Sequence, residues 1–178
     1  GVTTNATGPN AESDIADQVN MLNNAISQAP DGIALAANDQ SAVLDSLQDA
    51  LDAGIPVVCF DTGVPDAPEG SVIATIATDN EAAGAVAAEN MYPVIKDAIA
   101  NASAPVRIGE VNQDATSANI SGRGMGFINK MKELIEADGK TVAVIGNQFY
   151  VDQVENNGDE GSADVIIEVA VPAQTTVE

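Results

Sequence analysis

The ten residues Gly54-Ile55-Pro56-Val57-Val58-Cys59-Phe60-Asp61-Thr62-Gly63 constrain the fold more than any other stretch of the chain. In order, they stop a helix, run a buried strand and set a carboxylate where the strand ends. Gly54 follows an amphipathic segment and can take the left-handed conformation that closes a helix. Pro56 is tolerated where a strand begins. Val57 to Phe60 is a short unbroken apolar run, as in a parallel strand covered on both faces. Asp61 then falls at the carboxyl end of that strand, where open α/β sheets bind their ligands. A plainer role for Asp61 is to cap the turn through Thr62 and Gly63, and the two roles can coexist.

The same alternation of helix and strand extends in both directions. Ile15, Val19, Leu22 and Ile26 share one helical face, which predicts a helix over about 12–28, ended by Pro30-Asp31-Gly32. A strand follows at 33–37, then the polar loop Asn38-Asp39-Gln40 and a helix over about 41–53. Beyond Gly63 the pattern gives a strand at 72–77 and a helix from Asp79, its cap, to about residue 100, kinked or divided at Pro93. A strand at 106–111, a polar loop at 112–119 and a helix over about 120–136 open a second half. Thr141 to Ile145 is a further strand candidate, and Val165, Ile167, Val169 and Val171 alternate as another. Between them, 152–164 is acidic, rich in Gly and Asn, and carries no helical pattern; it is expected to be mobile. Such alternation argues for an α/β fold, a parallel sheet with right-handed crossovers and helices on both faces. The first residues look like the tail of a strand and the last like a strand still waiting for its helix. The chain therefore reads as part of a larger protein.

Charge narrows the partners. Twenty-seven acidic side chains against six basic ones leave −21 with no histidine, a surface that repels phosphate backbones and anionic lipid heads. Nucleic acid is not an expected partner, and no apolar run approaches the ~20 residues of a membrane-spanning helix. One cysteine and no histidine rule out the common zinc sites and a Cys–His nucleophile pair. Cys59, inside the buried strand, reads as a core hydrophobe. The acidic loop lacks the ligand spacing and central glycine of an EF-hand, so no metal is expected there. No signal peptide is visible, although the chain can begin after one was removed.

Five segments in this order carry a resemblance: AANDQSAV after the second strand, AGIPVVCFDTG, VIATIATDN with the helix after it, RIGEVNQDATSANISGRGMGF, and EVAVPAQ near the end. Together they resemble the periplasmic sugar-binding proteins of ABC transporters, in the ribose- and galactose-binding group. LacI-type regulators share that effector-binding fold. The resemblance implies two α/β lobes that close on a ligand in a cleft, each lobe incomplete here. On that template 1–101 is most of lobe one, without its first strand and helix. Residues 102–178 begin lobe two, with an insertion at about 140–162. By motif match, Asp61 in CFDTG and Arg123 in SGRGMGF correspond to ligand-binding residues of the family, one from each lobe.

Physical chemistry supports those two residues. Sugars present hydroxyls in fixed directions, so a carboxylate accepting from two neighbours and a guanidinium donating in a rigid fork both suit them. Arg123, one of two arginines, is flanked by Gly122 and Gly124, which leave room around it; a surface ion pair is its plainer role. Further candidates are Asn38 and Asp39 at a strand end, where helix capping competes, and Thr62. Asn112 and Gln113 follow the first strand of lobe two, and Gln174 matches a site-adjacent loop. Thr62 stands where ribose binders of the family carry a basic residue, which argues against ribose. Aromatic walls, common in sugar sites, would have to come from Phe60, Phe149 or Tyr150.

The implied function is an extracytoplasmic solute-binding protein that captures a sugar or similar small polar molecule and delivers it to the membrane permease of an ABC importer. No cofactor is called for. The alternative class is the effector-binding domain of a LacI-type transcription regulator, which a helix-turn-helix upstream would mark. A carbohydrate-active enzyme would need carboxylates in paired geometry. Nothing in the spacing of Asp61 and Asp79 demands that, and no nucleophile–base pair or phosphate loop is present, so catalytic residues are not expected.

Overall fold

The structure, a computed structural model, describes residues 1–173, and its contacts divide the chain into two compact units. Residues 1–77 with 116–119 form the first; 78–115 with the residues from 120 onward form the second. The first unit holds α1 (Ile15–Ser27), β1 (Ile33–Leu35), α2 (Leu44–Asp52), β2 (Val57–Phe60) and β3 (Val72–Ile76). The second begins with α3 (Asn80–Ala100) and β4 (Val106–Val111). Then come α4 (Ala118–Ala137), β5 (Val142–Gly146), α5 (Gln148–Val151) and β6 (Val165–Ala170), the first two residues of α4 grouping with the first unit.

In the first unit the three strands pair in the order β1-β2-β3, all parallel. Gly54 closes α2 as its sequence context requires. Its φ is +71°, its N–H donates to the Leu51 carbonyl, and the Ile55 N–H reaches back to Ala50. That pair of bonds is a Schellman motif, and the buried Ile55 supplies the apolar contact that accompanies it. Leu35, Val57 and Cys59 face Leu22 of α1 and Leu47 and Ala50 of α2 in one core cluster. Cys59 is fully buried, and burial raises its thiol pKa, so it is a packing residue as expected. Phe60, Ile73 and Ile76 are exposed.

In the second unit the order is β4-β6-β5, again all parallel. The last strand is therefore central. Its alternating sequence suggests one covered face, yet Ile166 on the second face is buried as well, packed against Ala143 and Ala163, while Glu168 and Ala170 on that face are exposed. One face joins the main core with α3 and α4, through Ala88, Tyr92, Ile128, Met131 and Ile135. Small residues let the two helices meet backbone to backbone. A Cβ on Gly84 would lie 2.0 Å from the Arg123 carbonyl oxygen, and one on Gly126 would lie 2.1 Å from that of Glu81.

One expectation changes. Asp79 does cap α3, accepting from the Ala82 N–H at 3.0 Å, but Pro93 does not divide that helix, which runs unbroken over 21 residues. Pro93 is exposed, so the one missing bond falls on the solvent side, where water can serve the freed carbonyl. Contacts divide the chain between Ala77 and Thr78, because α3 packs into the second core.

The acidic segment after α5 is tied down instead of free. Asn157 Oδ1 accepts from the Val144 N–H and its Nδ2 donates to the Val144 carbonyl, both at 2.8 Å, so one amide occupies the open edge of β5. Val154 is buried, and a Cβ on Gly158 would sit 2.0 Å from the Val142 carbonyl oxygen. Glu160 pairs with Arg107 at 2.8 Å.

Two measurements test this packing. Gly84→Ala should lower stability by about 1–3 kcal/mol, the cost of overpacking a close contact, read as a lower urea midpoint; an unchanged midpoint would refute the helix contact. In hydrogen exchange the Val144 amide should be protected, and Asn157→Ala should speed its exchange while leaving the β6 amides slow.

Candidate functional site

Parallel pairing brings the carboxyl ends of β1, β2 and β3 to one edge of the first sheet, and the polar candidates of that unit lie there. Asp61 follows β2 directly. Its N–H donates to the Ile76 carbonyl at 2.9 Å, so it is held by β3, yet its φ is +61°. That left-handed conformation is uncommon for a residue with a Cβ and is tolerated best by Asn and Asp. The chain leaves the strand abruptly there, and the carboxylate is exposed. Asn119 Nδ2 approaches Asp61 Oδ2 at 3.4 Å.

The other candidates of the first unit have structural partners. Thr62 is buried, and its hydroxyl donates to the Ala37 carbonyl at 2.8 Å, tying the ends of β1 and β2 together. Asp39 Oδ1 accepts from the Ser41 and Ala42 N–H groups at 2.8 Å, closing the turn that precedes α2 without capping the helix itself. Asn38 is clamped by Gln18: its N–H donates to Gln18 Oε1 at 2.8 Å, and Gln18 Nε2 donates to Asn38 Oδ1 at 3.3 Å. Its own Nδ2 donates to the Glu12 carbonyl at 3.1 Å. These bonds hold the strand-end loops in shape and leave Asp61 the most available polar group of the set.

In the second unit, Arg123 lies on α4 and donates to Asn80 Oδ1 at 2.6 Å, in place of the surface ion pair that its setting allowed. Asn112 follows β4, its N–H bonded to the Ala170 carbonyl at 3.0 Å and its Nδ2 donating to Glu110 Oε1 at 2.8 Å. Gln113 is in the adjoining loop, and Gln174 lies outside the described residues. Tyr150 cannot serve as a stacking wall. It is fully buried, and its hydroxyl donates to the Asp114 carbonyl at 2.9 Å. Phe60 and Phe149 are the exposed aromatics.

One residue of this region has no place in the motif reading. Glu110 is 9% exposed, and its Oε2 has no hydrogen-bond partner among the described residues. Burial pushes its carboxyl pKa up to about 7, against the opposing bond from Asn112. Alternation along β4 could have found it, since Ile108 and Glu110 point the same way and Ile108 is core.

Among the described residues no group of three or more His, Cys, Asp or Glu is arranged to hold a metal ion. No helix among the described residues is long and apolar enough to cross a membrane.

A model of the periplasmic binding protein domain matches residues 1–168. The chain belongs to the periplasmic binding protein family. No curated protein sequence matches it. Among solved structures, a Brachyspira murdochii protein described as an ABC transporter, LacI family transcriptional regulator is 32% identical. The match covers 94% of this chain and 47% of that one, with a TM-score of 0.66. An ABC transporter solute-binding protein from Agrobacterium vitis, solved with D-fucose bound, is 28% identical over 81% of this chain and 56% of its own, with a TM-score of 0.62. A sugar-binding protein of a Bacillus halodurans sugar ABC transporter is 27% identical over 88% and 41%, with a TM-score of 0.53. The chain thus spans about half the length of these solved relatives.

Glu110 makes the second unit sensitive to pH. Its folded pKa lies above the ordinary glutamate range, so the folded protein favours the neutral acid. Its contribution to stability is then greatest below the unfolded pKa of about 4.3. It declines as pH rises and levels off once the folded value near 7 is passed. Glu110→Gln should remove that decline and raise stability above neutrality by up to ~3 kcal/mol. Urea melts at pH 5 and pH 8.5 check this; equal pH dependence in the two proteins would count against a buried Glu110.

Proposed function

We propose that this family member works as the solute-binding component of an ABC importer, holding a sugar or a similar small polyhydroxy molecule and handing it to a membrane permease outside the cytoplasm. The observation that carries the reading is Asp61. It leaves β2 in a left-handed conformation at the sheet's carboxyl edge with its carboxylate exposed, where neighbouring polar side chains are already committed to loop bonds. A carboxylate so placed accepts from two adjacent hydroxyls without first breaking an ion pair. On the second unit Arg123, held by Asn80, is the candidate donor to ligand hydroxyls. Asn38, Asp39 and Thr62 shape the strand-end edge of the first unit, and Asn112 and Gln113 that of the second. The D-fucose complex of the Agrobacterium vitis relative supports a sugar as the ligand class. Binding without chemistry fits the family, whose task is capture.

The Brachyspira murdochii relative bears a transcriptional-regulator description, which keeps the effector-domain reading as the alternative. The −21 charge favours transport, because such a domain would oppose docking on DNA.

Calorimetric titration of the full-length protein with D-fucose, D-galactose, L-arabinose and D-ribose tests the reading. At least one should bind, with ribose weakest. Asp61→Ala or Arg123→Ala should each weaken the best ligand by about 1.5–3 kcal/mol, the scale of a hydrogen bond to a charged group. Unchanged affinity in both variants would remove these two residues from the site.

A further inference from the structure

Glu110 and Asn112 form a pair that the ligand reading does not explain. Glu110 is buried beneath the carboxyl end of β4 with Oε2 unpartnered among the described residues, while Oε1 holds Asn112 Nδ2 at 2.8 Å. The pair has little freedom to rearrange by translation. The Asn112 N–H is fixed to Ala170, and α4 approaches so closely that a Cβ on Gly124 would meet Asn112 Nδ2 at 2.7 Å and its Oδ1 at 3.0 Å. What remains open to Asn112 is a half-turn of its amide about the last side-chain bond, which exchanges Oδ1 and Nδ2.

An ionised carboxylate only accepts hydrogen bonds, so it obliges Asn112 to turn its NH2 inward and to offer its carbonyl oxygen to anything else. A protonated carboxyl can also donate, and then Asn112 can turn its oxygen inward and offer its NH2 instead. We infer that Glu110 is a positioning residue whose single proton sets whether Asn112 presents an acceptor or a donor at the edge of the second unit. This rests on the reading that Asn112 belongs to the ligand-facing edge. It adds a pH-dependent choice of hydrogen-bond polarity to that edge, so hydroxyl and carbonyl groups of a ligand would be ranked differently on either side of neutrality.

The surroundings allow such a switch. From α5, the titratable group facing Glu110 is Tyr150, and Asp114 in the loop after β4 lies near that tyrosine; both carboxylates raise the phenol pKa. On β6 the residue registered with Glu110 is the apolar Val169, while Glu168 is exposed and paired with Arg107 on the other face. On α4 the nearest cation in sequence, Arg123, is bonded to Asn80. Burial is the larger influence on Glu110, so the proton is held until near neutrality.

The test needs no ligand. In the 178-residue protein labelled with carbon-13 and nitrogen-15, the Glu110 carboxyl carbon and the Asn112 side-chain amide are followed by NMR from pH 5 to 9. The Asn112 signals are identified by their loss in Asn112→Ser. Both groups should move with one midpoint near neutral pH. The nuclear Overhauser contact between the Asn112 amide protons and the Glu110 side chain should be present above that midpoint and lost below it. In Glu110→Gln, which both donates and accepts at every pH, the Asn112 titration should vanish while the fold is kept. A contact that persists across the range would overturn the proposal, as would an Asn112 titration that survives Glu110→Gln. Absence of sugar binding by calorimetry would refute the transport reading while leaving this NMR result standing, so the two failures are distinguishable.

Discussion

Parallel pairing of short apolar strands is the constraint from which the other features follow. Two parallel neighbours cannot be joined by a tight turn, so each connection must cross over, usually through a helix. Every strand then ends at the same edge of its sheet, and the loops that carry polar residues gather there. In the first unit Asn38, Asp39, Asp61 and Thr62 share that edge for this reason. In the second, Asn112 and Gln113 follow β4 at the corresponding edge of their own sheet. The chemistry is placed by topology before any side chain is chosen.

The loops at these edges are built to be stiff. Thr62 binds the end of β1, Gln18 grips Asn38 on both its backbone and its side chain, and Asp39 caps the turn that leads into α2. Such bonds fix the geometry of the strand-end loops within the fold. Asp61 differs from its neighbours because its backbone is held by β3 while its carboxylate stays exposed. The second unit relies on close backbone packing instead. Gly84 and Gly126 let α3 and α4 touch, and Gly124 admits Asn112 and Tyr150 beneath α4. The glycines beside Arg123 therefore serve packing as much as they give the guanidinium room.

Much of this was legible in the sequence because it is local. Val57 to Phe60 is a strand at the predicted bounds, Gly54 ends α2, and Asp79 caps α3, each set by a few neighbouring residues. The motif strings around Asp61 and Arg123 led to the family for the same reason. Less legible were features that depend on what lies across the fold. The alternation of β6 suggests a half-exposed strand, but Ile166 on its second face is buried while Glu168 on that face stays exposed. The acidic run after α5 reads as a solvated loop, yet Asn157 uses it to close the β5 edge. Tyr150 looks available to a sugar and is instead core, its hydroxyl satisfied by Asp114.

The sequence by itself determined the element types, their parallel pairing and the strongly acidic charge of the chain. Those depend on periodicity, turn chemistry and net charge, which act over a few residues or over the whole surface. Only the tertiary structure decided which strand is central, which carboxylate is buried and which polar residues are already spoken for. A buried Glu110 with one oxygen bonded to Asn112 is the clearest case. Its acidity is set by the removal of water when α4 and α5 close over β4, and that desolvation exists only once the parts are assembled.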